Sequence, residues 1–543
     1  MDAEDLKGIV MSRRSALKRG AATAFLLSQA ALFEQLASPV VRSASAATTF
    51  SDIQFDMGAF INPAQTLSDG AGSIVAQFAP VYALLQPIKL NRTPTVADQT
   101  TLANALNAIE ASYPASPSGV LIFSVSYGVP YFNRLPASVV AANMPQTVAY
   151  PTSTGTLPAG RSPLIEAVPF PTDVVDGLVG GPNAIIPNVT KEHFNVDVVI
   201  ENNDMLLEIR SDSMVNLAAI PLWFNGSNNL NGTGVPSPDF NGLLEFQTPR
   251  IQFVQIGLPR TMANQYAFEF APRMNPDSSM AMGFVDQMTN AAGPPEITTF
   301  VGNSSAKLTN ATAGSYFDNG SIAHLSHVLE DLYQFYNTPG QDPNFITGEP
   351  FTERCQYMFR SNQLGTANGI PAVGNTDQYT NGGGPAYINN VFQGTQSATL
   401  SAQDSAGFFT PSNATMSATF TGEHRFGHLD GLQRVSRAPD TTPLHIRNDG
   451  PGLDTMDTPS FTLPGGGQFA AGSNQFKLQF LVYVPTGDFF ASMRTAQAAQ
   501  DLQSEFKVAA GDQGLERFIT ATRRQNFLVP PRRHRAFPLV ELA

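Results

Sequence analysis

The sequence VLIFSVSYGVP, residues 120–130, is rich in β-branched and aromatic residues and ends at a Gly-Val-Pro turn, a pattern that predicts a β-strand. Residues 196–200 and 205–209 predict two shorter strands, with the turn residues ENND between them. Residues 211–220 begin with Ser and Asp, which cap helices, and predict a helix. Residues 250–257 predict another strand. This part of the chain therefore alternates strands with helices.

The same alternation appears again further along the chain. It begins with GSYF at residues 314–317, where a strand is expected, and continues with a predicted helix at residues 322–336. A strand is predicted at residues 477–484 and a helix at residues 488–506. The repetition favours an α+β fold of two halves, in which antiparallel sheets carry helices on one face, over a doubly wound parallel sheet.

The length of 543 residues allows more than one core, because single cores stop growing near roughly 250–300 residues. We predict a first half at residues 118–312 and a second half at residues 313–543. Residues 47–117 mix Pro, Ser, Thr and Ala around one helical stretch, residues 95–112, and are predicted to form an N-terminal extension. Residues 362–420 are rich in Gly, Asn, Ser and Thr, which predicts a polar insertion that is mostly loop.

An export signal is predicted at the N-terminus. Arg13 and Arg14 precede the apolar stretch ATAFLLSQAALF, residues 22–33, and small residues follow in SASAA, residues 43–47. This order is typical of a twin-arginine signal peptide, here cleaved after Ala46. A membrane anchor is the alternative, but the apolar stretch is shorter than the roughly 20 residues that span a bilayer. We therefore expect a periplasmic, cell-surface or extracellular protein.

Charge and cysteine content exclude several classes of function. Removing residues 1–46 takes away six basic and four acidic residues from totals of 31 and 44, so the mature chain has a net charge of 25 − 40 = −15. Such a charge disfavours nucleic acid as a partner. Cys355 is the only cysteine, which excludes disulfides within the chain and thiolate zinc or iron–sulfur centres. The basic residues at 523–535 are interpreted as a solvated surface.

Two pairs of histidines are candidate metal ligands. His324 and His327 lie three residues apart on the predicted helix, followed by Asp331, and that spacing would place all three on one face. An ordinary polar helix face is the alternative. His424 and His428 lie four apart among glycines, which argues against a regular helix there. The motifs of serine hydrolases, zinc proteases, P-loops and dinucleotide-binding turns are absent from the sequence.

The remaining candidates are the acid in MGFVDQ, residues 282–287, and the histidine in PLHIRND, residues 443–449. At these segments the chain resembles the dye-decolorising peroxidases, haem proteins of two ferredoxin-like halves. The resemblance follows the order of five segments along most of the predicted mature chain, namely VLIFSVSYGVPYF, MGFVDQ, GSYFDNGSIAHLSHVLEDLY, LHIRND and NFLVPPR. Each match is short, and their common order is the stronger signal.

The resemblance implies a site as well as a fold. His445 would be the axial ligand of a haem b iron, and Asp286, on the opposite face of the haem, would move a proton between the two oxygens of hydrogen peroxide. The electron donor would be a small aromatic or dye-like molecule. The alternatives are a capped turn histidine at His445 and a turn aspartate at Asp286.

Two departures from the family's pattern bear on activity. The family's glycine after the distal aspartate is Gln287 here, and residues 458–472 lack the family's distal arginine. Arg447 is a candidate replacement for that arginine and is assigned to cofactor binding. Two functions therefore stay open. One is an exported haem peroxidase, and the other is a non-catalytic relative that acts as a haem-binding or cell-surface interaction protein.

Overall fold

The computed structural model describes residues 50–56, 65–68, 73–76, 79–152, 155–181, 189, 191–274, 278–283, 295–302, 307–337, 428, 435, 444–463, 466–500 and 514–543. No helix in these ranges is long and apolar enough to cross a membrane. The predicted signal peptide and the predicted insertion at 362–420 lie outside them. Both stay predictions.

The first half of the fold has strands and helices in the order β-α-β-β-α-β. The main elements along the chain are β1 (Tyr82–Leu90), α1 (Val96–Ser112), β2 (Leu121–Gly128), β3 (Val199–Ile200), β4 (Met205–Ser211), α2 (Met214–Phe224), β5 (Leu244–Phe246) and β6 (Arg250–Phe253). The order is made by β1, α1, β2, β4, α2 and β6, and β3 and β5 are additional short strands. The longer strands lie side by side in the order β6-β1-β4-β2, and every neighbouring pair is antiparallel. This is the ferredoxin-like arrangement.

The second half repeats that arrangement. Its elements are β7 (Ser321–Glu330), α3 (Leu332–Asn337), β8 (Ile446–Arg447), β9 (Gly450–Asp454), β10 (Gln475–Val484), α4 (Gly487–Ala498) and β11 (Ile519–Val529). The strand order is β11-β7-β10, with β8 and β9 both paired to the far side of β10. The predicted α+β class with two ferredoxin-like halves is therefore confirmed.

Within the described residues the two halves share one sheet of eleven strands, because β2 pairs with β11. The edge strands β6 and β9 also meet, and glycines make this approach possible. A Cβ on Gly452 would lie 2.6 Å from the carbonyl oxygen of Ile251, and one on Gly450 would lie 3.2 Å from that of Phe253. The sheet thus closes into a barrel.

The barrel has separate apolar clusters inside and outside. Side chains from both halves meet inside it in the barrel core, formed by Ile53, Phe55, Leu85, Leu121, Phe123, Leu206, Ala323, Leu325, Ile446, Leu481, Tyr483, Phe527 and Val529. A larger cluster, the helix-side core, lies beneath the helices and includes Leu106, Leu217 and Phe490. A charged side chain on a strand can therefore be buried on either face of the sheet.

Helix α1 illustrates how local sequence fixes a helix on this sheet. The hydroxyl of Thr95 accepts a hydrogen bond from the backbone N–H of Asp98, and the Asp98 carboxylate accepts one from the backbone N–H of Thr95. Leu102, Leu106 and Ile109 then recur at helical spacing and are buried. The helix predicted at residues 95–112 is confirmed, as is most of the one predicted at 211–220, which forms α2.

The helix predicted at residues 322–336 is wrong for most of its length. Residues 321–330 form strand β7, and only α3 is helical. The apolar residues of this segment have helical spacing, but every residue of β7 is buried. A strand that is buried on both faces does not need polar and apolar residues to alternate. The spacing of its apolar residues therefore does not distinguish it from a helix. Residues 314–317, where a strand was expected, form turns.

The sheet also uses residues that the sequence analysis placed in the N-terminal extension. Strand β1 and helix α1 are the first strand and first helix of the first half. Strand β1 was missed because Pro87 interrupts its apolar sequence, and proline usually argues against a central strand. The backbone oxygen of Pro87 nevertheless accepts hydrogen bonds from Gln247 and Gln86. The other domain boundaries stay predictions.

Candidate functional site

His445 lies directly before the short strand β8 and is only 1% exposed. Its two neighbours belong to different clusters, because Leu444 is part of the helix-side core and Ile446 is part of the barrel core. Pairing of Ile446 with Tyr483 and of Arg447 with Val482 fixes β8 on β10. The backbone at His445 is therefore held by a long, buried strand.

A buried polar network contacts the residues that follow His445. The Glu208 carboxylate accepts hydrogen bonds from the Asn448 amide, from the Tyr483 hydroxyl at 2.5 Å and from Arg210 Nε at 3.3 Å. Ser124 lies 3.4 Å from the same carboxylate. Burial raises the pKa of Glu208, although these donors oppose the shift. Burial, together with Glu208, raises the pKa of Tyr483 well above its usual value.

This network is not among the features predicted from the sequence, although the sequence contains a signal for it. Strand β4 reads MLLEIRS, so Glu208 and Arg210 lie on the same face of a strand at alternate positions. Such a pattern normally indicates a solvent face. Because the sheet closes into a barrel, that face points inward, and both side chains are fully buried. Only knowledge of the closure would have revealed the pair.

His327 belongs to a second polar network inside the barrel. Its Nδ1 lies 2.7 Å from the Thr522 hydroxyl, and its Nε2 lies 3.3 Å from the Asp454 carboxylate. Lys477 lies 3.8 Å from Asp454, and Arg523 binds Asp457 through two hydrogen bonds of 2.6 and 2.8 Å. Burial lowers the pKa of His327 and lowers that of Lys477 to about 8. The network therefore combines a neutral imidazole with paired charges.

His324 lies on the opposite face of β7 and belongs to a different environment. Its Nδ1 is 2.6 Å from Asn526 Oδ1, its Nε2 is 2.6 Å from the Ser326 hydroxyl, and its ring stacks on Phe490 with centroids 3.7 Å apart. Burial, and secondarily Arg524, lower the pKa of His324 well below its usual value. The neutral imidazole is thus hydrogen-bonded and packs against α4.

The metal site considered for His324, His327 and Asp331 is wrong, because a strand separates the two imidazoles that a helix would have brought together. Asp331 instead contacts His193, with both carboxylate oxygens 2.9 Å from Nδ1. Within the described ranges no cluster of three or more His, Cys, Asp or Glu side chains could hold a metal ion. His424 lies outside those ranges.

The other residues of the predicted site are only partly within the described chain. Asp286 and Gln287 lie outside it, so the distance from Asp286 to His445 stays a prediction. Arg447 lies on β8 and is half-buried. The stretch at residues 458–472 contains a small hairpin, Phe461–Thr462 paired with Gln468–Phe469. No arginine occurs in this stretch of the sequence.

Glu330, at the end of β7, is a buried carboxylic acid. Within the described part of the chain, its Oε2 has no hydrogen-bond partner. Burial, and to a smaller extent the charge of Asp449, raise the pKa of Glu330 to about 8. The folded protein therefore keeps this side chain protonated at neutral pH, whereas the unfolded chain ionises it near its usual value.

We expect Glu330→Gln to stabilise the protein at high pH but not at low pH. Because the folded pKa is raised, the contribution of Glu330 to stability is fully present below about pH 4.5 and falls by up to about 1.4 kcal/mol per pH unit as pH rises toward 8. Glutamine cannot ionise, so the variant should gain roughly 2–4 kcal/mol relative to wild type between pH 5 and pH 8. Urea unfolding at both pH values measures this gain. An equal difference at both pH values would contradict a raised pKa.

Comparison with known proteins gives only distant structural likenesses. No protein-family model and no curated protein matches the chain. The DyP-type peroxidase of Cellulomonas bogoriensis is 11% identical with a TM-score of 0.41 over 83% of this chain and 90% of that one. The encapsulated DyP-type peroxidase of Mycobacterium smegmatis is 13% identical with a TM-score of 0.37, over 83% and 94%. A Rhodococcus jostii DypB variant in complex with haem is 11% identical with a TM-score of 0.35, over 84% and 95%. Similarity at this level transfers no residue role, ligand or activity to this chain.

The described residues are compatible with haem as a ligand. A haem iron receives four nitrogens from its porphyrin and needs one strong donor from the protein. The imidazole of His445 is a donor of the right type, and its burial would keep water from competing for the iron of a bound haem. The half-buried guanidinium of Arg447 is suited to pair with a carboxylate. The donor set therefore fits a haem better than a metal held by protein ligands alone.

Proposed function

We propose that this protein is an exported haem protein of the dye-decolorising peroxidase type, which uses hydrogen peroxide to oxidise small aromatic or dye-like donors. The observation that carries the proposal is the burial of His445 in LHIRND, directly before a strand of the second ferredoxin-like half. Turns usually lie at the protein surface, where a histidine is exposed to water.

The proposed roles divide between binding and proton transfer. When bound, the haem supplies the redox-active iron on which peroxide is reduced. His445 would hold the iron through one ring nitrogen, and Arg447 would pair with a carboxylate group of the haem. Asp286 would accept a proton from one peroxide oxygen and return it to the other. One carboxylate would thus serve first as the base and then as the acid.

The second candidate is a haem-binding or surface-interaction protein without peroxidase activity. Gln287 and the absence of arginine from residues 458–472 support it. An arginine on the peroxide side would stabilise charge on the leaving oxygen, and losing one such donor typically costs on the order of 10²–10³ in rate. Haem binding without turnover would favour this candidate.

One set of measurements on the wild-type protein tests the proposal. Protein purified from haem-supplemented cells should show a Soret absorbance band, should oxidise an aromatic dye only when peroxide is present, and should begin near Ala47 by mass spectrometry of the exported fraction. Colourless protein that cannot be reconstituted with haem would remove haem binding from both candidates and leave a surface-interaction protein. Protein that retains Met1 in the cytoplasm would remove the proposed export.

A further inference from the structure

Residues 50–56, here called the N-terminal plug, close one end of the barrel. Ile53 and Phe55 are members of the barrel core, although they belong to no strand. The Phe55 ring stacks on Tyr483 of β10, with centroids 4.6 Å apart and planes 13° from parallel. The plug itself is a turn, in which the backbone N–H of Asp56 donates to the oxygen of Ile53. A short segment thus supplies two apolar anchors to a core built by distant strands.

The side chain of Gln54 connects the two halves at a place where β2 and β11 are not paired with each other. Pairing of β2 with β11 includes only Tyr127 with Leu528 and Gly128 with Phe527. Further along β2, Gln54 Oε1 accepts from the Val125 N–H at 3.0 Å, and Gln54 Nε2 donates to the Val125 oxygen at 3.1 Å. Nε2 also donates to the Pro530 oxygen at 2.8 Å. One buried amide therefore bonds the first half to the end of the second.

Asp52 fixes the outer side of the plug to the second half. Its backbone oxygen accepts from the Arg532 N–H at 2.7 Å, and its carboxylate accepts from the Asn319 amide at 3.0 Å and from the Arg533 N–H at 3.1 Å. The Arg533 guanidinium pairs with the same carboxylate. Above this pair, the Arg532 guanidinium lies 4.0 Å from the centroid of the Phe50 ring. The plug therefore has a buried apolar end and a charged rim.

We propose that the barrel end around Val125, Tyr483, Pro530 and Arg533 is a peptide-binding site, and that residues 50–56 of the same chain are its resident ligand, joining the two halves. The arrangement is that of a bound peptide, with two apolar anchors, Ile53 and Phe55, in the barrel core, backbone groups satisfied by one amide and an ion pair at the rim. The proposal uses no contact of His445 and makes no use of a bound haem. It therefore stands or falls independently of the haem proposal.

A cut made after folding tests whether the plug binds as a separable ligand. A specific protease site is placed at residues 58–63, the full chain is purified folded, and the connection is then cut. The N-terminal fragment should stay bound to a particle of monomer size through gel filtration and should leave in denaturant. Phe55→Ala should release the fragment on the order of 100-fold faster, and Gln54→Ala should also release it faster. Thr48→Ala, outside the plug, is the matched control.

Peptides added to the cut wild-type protein make the test independent of how well the variants fold. An excess of a peptide of residues 47–57 should replace the bound fragment, while the same peptide with Phe55→Ala should not. Immediate loss of the fragment from the cut wild-type protein would overturn the proposal. Equal retention with and without Phe55 would also overturn it. A cut protein that runs as a dimer would show that a second copy, and not the same chain, fills the site.

Discussion

Replacing His445 with alanine is expected to abolish haem retention. If the imidazole is the axial ligand, its loss removes the only bond between iron and protein and leaves the porphyrin held by apolar contacts and charge pairing. The Soret absorbance per protein should fall nearly to zero after desalting. Added imidazole should restore part of it, because a free imidazole can occupy the position that the shortened side chain leaves.

Two matched variants separate loss of the ligand from loss of the fold. His327→Ala removes another buried histidine, one that belongs to the second polar network, and should keep the haem. Asp286→Asn should also keep the haem while lowering the rate of reaction with peroxide by on the order of 10²–10⁴-fold, because it removes the proton carrier and not the ligand. Haem content equal to wild type in His445→Ala would refute the assignment of His445.

The repeated order of strands and helices was readable from the sequence because several elements carry strong local signals. Residues 120–130 and 477–484 are long β-rich stretches, and they contain β2 (Leu121–Gly128) and most of β10 (Gln475–Val484). Helix α2 begins slightly later than predicted, because Ser213, and not Ser211 or Asp212, caps it by accepting a hydrogen bond from the backbone N–H of Asn216. Each of these signals depends on residues that are close in sequence, so it can be recognised without knowledge of the tertiary structure.

Strand β7 and the barrel interior could not be read in the same way, because their character depends on contacts distant in sequence. His324 is paired with Asn526 and His327 with Thr522, each about 200 positions further along the chain. The sequence shows only two histidines at helical spacing. Likewise, His445 lies directly before a strand because β8 pairs with β10. The sequence predicts β10 but does not show which residues pair with it.

Removing the carboxylate of Glu208 is expected to destabilise the fold more than any change on its surface. In Glu208→Ala, the guanidinium of Arg210 would stay buried at 1% exposure without its counter-charge. Its remaining hydrogen bonds, to the side chain of Gln252 and the backbone oxygens of Asn448 and Pro80, are 3.3 to 3.5 Å long and have uncharged acceptors. Breaking a buried ion pair from one side typically costs about 3–5 kcal/mol.

Urea unfolding measures this cost, and two further variants identify its origin. Glu245→Ala, at an exposed glutamate of β5, should change the free energy of unfolding by less than about 0.5 kcal/mol. The double variant Glu208→Leu with Arg210→Met should recover much of the loss, because two apolar side chains need no counter-charge in the barrel. A single variant Glu208→Ala within about 1 kcal/mol of wild type would mean that water reaches Arg210 and that the barrel is open. A double variant as unstable as the single one would instead locate the cost at Tyr483 and Asn448, the two hydrogen-bond donors that lose their acceptor.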